Sequence, residues 1–223
     1  MPKNIVLSWS GGKDSALALY KLQKKGKYKI VKLLTTITKG YLRVSIHGIR
    51  YELLLQQCRS LGFNLESIFI AKDETNKNYS IKMRNFLRKC KNKDIWGVSF
   101  GDIFLEEVRK YRLKHLYLLG MQGIFPLWKR DTLEVANNFI DLGFKAIVIC
   151  VDSKSLDKRF IGRCFNRSFL ADLPSNVDPC GENGEFHTFV FEGPMFKYPI
   201  KYNKGKVVFR DSRFYYLDLI PIR

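Results

Sequence analysis

Six consecutive residues, Ser10-Gly11-Gly12-Lys13-Asp14-Ser15, have the types needed to hold an anion. They follow the apolar run Ile5-Val6-Leu7-Ser8-Trp9 and precede Ala16-Leu17-Ala18-Leu19-Tyr20-Lys21-Leu22, whose periodicity is helical. A strand, a glycine turn and a helix start in that order aim backbone N–H groups and the positive end of a helix dipole at one point. That is the chemistry of a phosphate site. Gly11 and Gly12 admit a close backbone approach. Ser10 and Ser15 offer hydroxyls, and Lys13 offers a point charge. Asp14 would repel phosphate directly, so it is expected to orient the loop, to contact Mg²⁺ or to serve the reaction. The bland alternative is an ordinary Gly-Gly turn capped by Asp14 or Ser15. The loop is not of the Walker type, because Leu7 stands where the first glycine belongs and Asp14 follows Gly12-Lys13. The Gly-x-Gly-x-x-Gly dinucleotide pattern fails as well.

A second cluster lies late in the chain, at Gly181-Glu182-Asn183-Gly184-Glu185-Phe186-His187-Thr188. Glu182, Glu185 and His187 place two carboxylates and an imidazole within a few residues, and if 185–187 is extended, Glu185 and His187 share a face. Such a set can position a proton carrier near neutral pH or hold a metal, whereas a capped, solvated loop is the alternative. The glycine density favours close ligand approach. His47-Gly48-Ile49-Arg50 is expected either to reach the ligand cleft or to cap the next helix. Gly101-Asp102 falls at the end of a strand, where Asp102 is a candidate Mg²⁺ contact or a helix N-cap. His115 is read as structural or solvated.

These residues need a scaffold, and the pattern supplies one. Strands are expected at 4–9, 28–37, 65–71 and 96–100, and helices at 14–25, 50–61, 79–91 and from 102 onward. This alternation predicts a parallel sheet with helices on both faces and right-handed crossovers. The 10–15 loop then lies at the carboxyl ends of the strands, where open sheets bind ligands. Beyond about residue 120 the pattern changes. Residues 123–128 read as a tight irregular segment, 131–142 as a helix closed by Gly143, 145–151 as a buried strand and 155–172 as helical and loop-rich. Short strands follow at 189–191, 206–210 and 214–220. The expected organisation is a nucleotide-binding domain at 1–120 and a smaller α+β substrate domain at 121–223.

With 46% hydrophobic residues, the 223-residue chain can build a real core. It lacks an apolar run of about 18 residues, and residues 1–4 lead directly into the first strand, so a cytoplasmic protein without membrane association is expected. Five cysteines without a Cys-x-x-Cys pair argue against a disulfide framework, a zinc ribbon and an iron–sulfur site. A net charge of +18 suits RNA or an acidic partner, or reflects a generally basic surface. Its densest run is Lys77, Lys82, Arg84, Arg88, Lys89, Lys91 and Lys93, with Asp and Glu absent between them. That run is either a solvated helix face or a docking face.

The Ser-Gly-Gly-x-Asp-Ser loop resembles the PP-loop of the ATP pyrophosphatases, which split ATP between the α- and β-phosphates. Together with His47-Gly48-Ile49-Arg50, Gly101-Asp102-Ile103, Phe125-Pro126-Leu127-Trp128 and the 181–188 block, it makes the chain similar to the diphthine–ammonia ligase family. The resemblance implies a Rossmann-like HUP-type α/β fold with a smaller C-terminal α+β domain. It implies ATP and Mg²⁺ as cofactors and amidation of an adenylylated carboxylate by ammonia. The acceptor implied is diphthine on elongation factor 2 or another protein-bound or small-molecule carboxylate, and a homodimer is compatible. On this reading Ser10, Gly11, Gly12, Lys13, Asp14, Ser15, His47, Gly48, Arg50 and Gly101 bind the nucleotide, Asp14 and Asp102 contact the metal, and Asp14, Glu182, Glu185 and His187 are catalytic. The diphthine ligases usually read Glu-Gly-Gly-Glu-Tyr/Phe-Glu-Thr in the late block, whereas Asn183 and His187 stand here in place of a glycine and the second glutamate. A PP-loop enzyme modifying tRNA and an ATP-binding regulator without turnover are the alternatives.

Overall fold

The computed structural model describes residues 1–44, 47–72 and 74–222. In chain order the elements are β1 (Lys3–Ser8), α1 (Lys13–Lys25), β2 (Tyr28–Thr38), β3 (Arg43–Val44), α2 (Tyr51–Leu61), β4 (Leu65–Ile70), α3 (Asn76–Lys91), β5 (Gly97–Ser99), α4 (Glu106–Tyr117) and β6 (Gln122–Ile124). There follow α5 (Thr132–Asp141), β7 (Lys145–Asp152), α6 (Arg167–Ala171), β8 (Phe186–Glu192), β9 (Tyr202–Arg210) and β10 (Phe214–Pro221).

The first sheet pairs β4-β2-β1-β5-β6, all parallel, with β3 running antiparallel to the end of β2. Alternation along each strand feeds two separate cores, because successive side chains point to opposite faces. Ile5 and Leu7 of β1 and Leu33 of β2 pack with α1 and α2, whereas Val6, Leu34 and Val98 pack with α3 and α4. Helices therefore cover both faces, as the strand–helix alternation predicts. The chain leaves β1 toward β2 on one side, and β5 lies on the other. The carboxyl ends of β1 and β5 thus form a topological switch point, which opens a crevice in doubly wound sheets.

The second sheet is antiparallel, in the order β8-β7-β10-β9. Its aromatic core (Phe139, Phe165, Phe169, Phe186, Phe189) is continuous with the core beneath α1 and α2. Several sequence expectations are corrected here. The segment after residue 120 begins with β6, which carries the first sheet past residue 120 to Ile124. Helix α4 starts at Glu106 behind Leu105, so Asp102 does not cap it. The 155–172 stretch holds only a 3-10 turn and the short α6. Among the described residues no helix is long and apolar enough to cross a membrane.

One side chain fastens the two sheets together. Gln57 of α2 is fully buried. Its Oε1 accepts from Trp9 Nε1 at 3.0 Å, and its Nε2 donates to the carbonyls of Gly11 at 3.0 Å and Val190 at 2.6 Å. Replacing it takes a partner from Trp9 Nε1, from the Val190 carbonyl and from the Gly11 carbonyl, of which the last keeps the Val190 N–H, at roughly 1–3 kcal/mol per orphaned group. Gln57→Leu, close in volume, is expected to lower unfolding free energy by about 3 kcal/mol in urea titrations. A loss under about 1 kcal/mol would mean that the three groups find other partners.

Candidate active site

The 10–15 loop forms at the switch point for local reasons. Gly11 has φ +80°, a conformation that favours glycine, and a Cβ there would lie 2.8 Å from Leu54 Cδ1. Gly12 is the N-cap of α1 and makes no side-chain cap, so the helix start is left to backbone donors. Ser15 Oγ donates to the Gly12 carbonyl at 2.9 Å and lies 3.3 Å from Ser10 Oγ. Gly101, just after β5, presses on the loop from the other side of the crevice. A Cβ there would stand 2.9–3.0 Å from the backbone of Asp14 and Ser15. Its place in the site is close backbone packing.

The loop is closed by the second half of the chain. Lys13 N–H donates to Thr188 Oγ1 at 3.1 Å, and Val190 N–H donates to the Gly11 carbonyl at 2.9 Å. Lys13 is 4% exposed. Its ammonium contacts both oxygens of Asp14, at 3.0 and 2.9 Å, and donates to the Cys180 carbonyl. Burial opposes the Lys13 charge, yet Asp14, with Cys180 and Glu182 adding to it, holds the pKa above its ordinary value. Burial raises the pKa of Asp14 against the pull of Lys13.

The 178–185 segment is wound around carboxylates. Asp178 Oδ2 accepts from the N–H groups of Cys180 at 3.1 Å and Glu182 at 2.8 Å. Glu185 is buried, and its Oε1 accepts from Asp178 N–H at 3.1 Å and Asn183 Nδ2 at 2.9 Å. Glu185 therefore shapes the loop that presents Glu182. Glu182 Oε1 accepts from Ile103 N–H at 2.7 Å and sits between the 10–15 loop and the turn after β5. Burial, with the charges of Asp14 and Asp102, pushes its pKa up to about 7, although the Ile103 N–H and Lys13 oppose this. A carboxyl that titrates near neutrality in a cleft suits proton transfer.

His187 does not join Glu185. Its ring stacks on His47 with centroids 4.3 Å apart. Burial, reinforced by His47 and Lys13, holds its pKa well below the ordinary histidine value, so the imidazole is neutral at neutral pH. His187 lies opposite Cys150 of β7, which lies opposite Tyr216 of β10, and the His47-Gly48 turn crosses this row. Gly48 has φ +73°, and a Cβ there would come 2.9 Å from the Tyr216 ring.

The remaining candidates are engaged elsewhere. Arg50 donates from Nε at 2.9 Å and from Nη2 at 2.6 Å to Asp218 of β10. Asp102 is held by Arg112, with Nη2 at 3.0 Å from Oδ1 and Nε at 2.7 Å from Oδ2. Asp14 and Asp102 are thus each neutralised by a basic side chain, and no group of three metal-type ligands occurs among the described residues. His115 faces Tyr111 at 4.5 Å, a structural contact. The sequence reading missed Gln57, Asp178 and Asp218, and took Thr188 only as the end of the late block. Gln57 alone left a signal, as a polar residue on the apolar face set by Leu53, Leu54 and Leu61.

The strand order and this loop define a PP-loop type α/β fold. Residues 2–122 match the diphthamide synthase N-terminal domain, and residues 131–218 match the diphthamide synthase C-terminal domain. The chain belongs to the diphthamide synthase family. The diphthine–ammonia ligase of Schizosaccharomyces pombe is 28% identical over 159 residues, covering 69% of this chain and 26% of that protein. The human one is 28% identical over 133 residues, covering 56% and 49%. The Danio rerio one is 32% identical over 107 residues, covering 45% and 42%. The matched stretch thus spans less than half the length of each of these relatives. Among solved structures, the U34-tRNA thiolase NcsA from Methanococcus maripaludis aligns with TM-score 0.39 and 14% identity over 63% of this chain and 57% of its own.

The folded-state pKa of Glu182 lies above the ordinary carboxylate value, so the folded chain retains a proton that the unfolded chain releases. Its contribution to stability is present at acid pH and lost as pH rises through about 7. Glu182→Gln keeps an acceptor for Ile103 N–H but cannot ionise. Its melting temperature is expected to exceed that of the parent at about pH 8 and to converge with it at about pH 4. Parallel melting curves at every pH would contradict the assignment.

Proposed function

We propose that this chain is an ATP-dependent ligase that forms a C–N bond, activating a carboxylate as its adenylate and amidating it with ammonia. The observation that carries the reading is the 10–15 loop at the switch point, with Glu182 titrating near 7 beside it. Family membership and the diphthine–ammonia ligases among its relatives support the reaction class. Bound ATP supplies the activation: the acceptor oxygen displaces pyrophosphate at the α-phosphorus, and ammonia then displaces AMP.

The chain's own residues divide the work. The α1 N-terminus and the glycines receive phosphate oxygens, and a Cβ at Gly11 or Gly101 would displace the loop by pressing on Leu54 or on the Asp14 backbone. Lys13 holds Asp14 and the Cys180 carbonyl, and so sets the width of the crevice. The carboxylates of Asp14 and Asp102 are each paired, so Mg²⁺ would be carried chiefly on the triphosphate. Glu182 is protonated below about pH 7, which relieves repulsion toward phosphate. Glu182, which titrates near neutrality, can accept the proton that the attacking amine must shed, whereas burial keeps His187 neutral and a weak base. We further propose that residues after Ile124 form the substrate-binding half. An acceptor on RNA is the second reading, favoured by the exposed cations Lys77, Arg84, Arg88 and Lys91 along α3.

Product analysis by phosphorus NMR tests the reading. Protein, Mg-ATP, ammonium and diphthine-bearing elongation factor 2 or a metabolite extract are expected to give AMP and pyrophosphate. ADP and phosphate in their place would refute it. Gly101→Ala pushes a Cβ into the loop backbone and is expected to weaken ATP binding at least about tenfold by calorimetry while leaving the chain folded.

A further inference from the structure

A cavity of about 990 Å³ lies apart from the anion loop, between the end of β2, the segment after β4, and the β9–β10 hairpin. Its size is that of a ligand site. Gly48 lines it, and the neighbouring His47 stacks on His187 at the loop, so the His47-Gly48 turn is a wall common to both spaces.

The cavity is built around cations. On its floor Arg43 donates from Nη2 to Asp218 at 2.8 Å and from Nη1 to the Gly48 carbonyl at 2.8 Å. Arg50 binds the same carboxylate from behind, so two guanidinium groups face one acid and a positive charge is left over. Hydrogen bonds from Arg50, then Arg43, hold the Asp218 pKa down against burial, so this acid stays ionised and committed. At the mouth stand Lys72, Lys206 and Arg210, and Lys72 and Arg210 both lie over the Tyr41 ring, at 5.8 and 5.5 Å. Asp211 is the other acid among the described residues of the lining. Val44, Val208 and Leu217 provide apolar wall.

We propose that this cavity is the acceptor site and that it binds a carboxylate carried on an apolar body, either a small molecule or a peptide side chain. The assignment rests on the ligase reading above. Lys206 and Arg210 draw the anion in, the apolar wall holds its body, and the shared turn puts the cavity next to the crevice. Arg43 links the two spaces, because an anion that takes its donors competes with the Gly48 carbonyl. A nucleic acid backbone is a poorer fit. It needs an uninterrupted basic track, whereas Asp211 and Asp218 interrupt the cations here.

Glutarate and hexaglutamate are the probes, titrated calorimetrically against the full chain, with hexaglutamine as the uncharged control. The wild type is expected to bind at least one acidic probe and not hexaglutamine. Lys206→Glu/Arg210→Glu, at two exposed positions, is expected to weaken that binding about tenfold or more. Lys89→Glu/Lys93→Glu, an equal charge change on the α3 side, is expected to leave it unaltered. Binding of glutarate identifies a small acceptor, and binding of hexaglutamate alone identifies a peptide-borne one. No binding of either probe, or equal loss in both double variants, overturns the proposal. So does tighter binding of a single-stranded RNA oligonucleotide that Lys206→Glu/Arg210→Glu abolishes, which would make the cavity a nucleic acid site. These titrations involve no turnover, so their failure leaves the ligase reading standing. Probe binding together with ADP and phosphate in the phosphorus NMR assay would reject the ligase reading and leave the cavity an anion site without an acceptor role.

Discussion

Everything at the candidate site depends on a strand from the far end of the chain closing over the anion loop. The loop sits where a doubly wound sheet should place it, but its own half of the chain holds it only in part. Thr188 takes the Lys13 N–H, Val190 donates to Gly11, and Gln57 binds Gly11 and Val190 together. Breaking any of these bonds takes a partner from a polar group at the loop. The second sheet is therefore part of the candidate site and not an appendage to it.

This closure sets the electrostatics. A loop built to attract phosphate is surrounded by Asp14, Asp102, Asp178 and Glu182. Left ionised and unpaired, they would repel a triphosphate. The fold meets this by pairing Asp14 with Lys13 and Asp102 with Arg112, and by tying Asp178 to backbone donors. Glu182 receives backbone hydrogen bonds but no ion pair of its own, and burial, with the charges of Asp14 and Asp102, raises its pKa. A carboxyl that can change charge near neutrality thus stands beside the candidate anion loop.

The parts of the site made locally were readable in the sequence. A strand, two glycines and a helix start form a loop whatever else the chain does, and the alternation of Ile5, Val6 and Leu7 fixes both faces of the sheet. The late block was readable as a ligand-facing segment because glycines and acids are packed together there. Roles set by contacts across the chain were not readable. Arg50 looked available for phosphate until its distant partner Asp218 was placed beside it, and Asp102 looked like a helix cap until Arg112 claimed it. Glu185 and His187 alternate correctly for one face, but Glu185 sits just before β8 and turns into its own loop.

The hydrogen bond between Lys13 and Thr188 joins residues 175 positions apart. A ribosome delivers the N-terminal half first, and domains form as they emerge. The sheet from β1 to β6 can assemble while the anion loop still lacks its fastening. Closing so long a stretch of chain is an entropic expense met only once β8 has docked. A nascent or truncated chain would then carry the sequence of the loop without its shape. Nucleotide binding would be a property of the finished molecule, so no ATP would be committed before the half that receives its energy is in place.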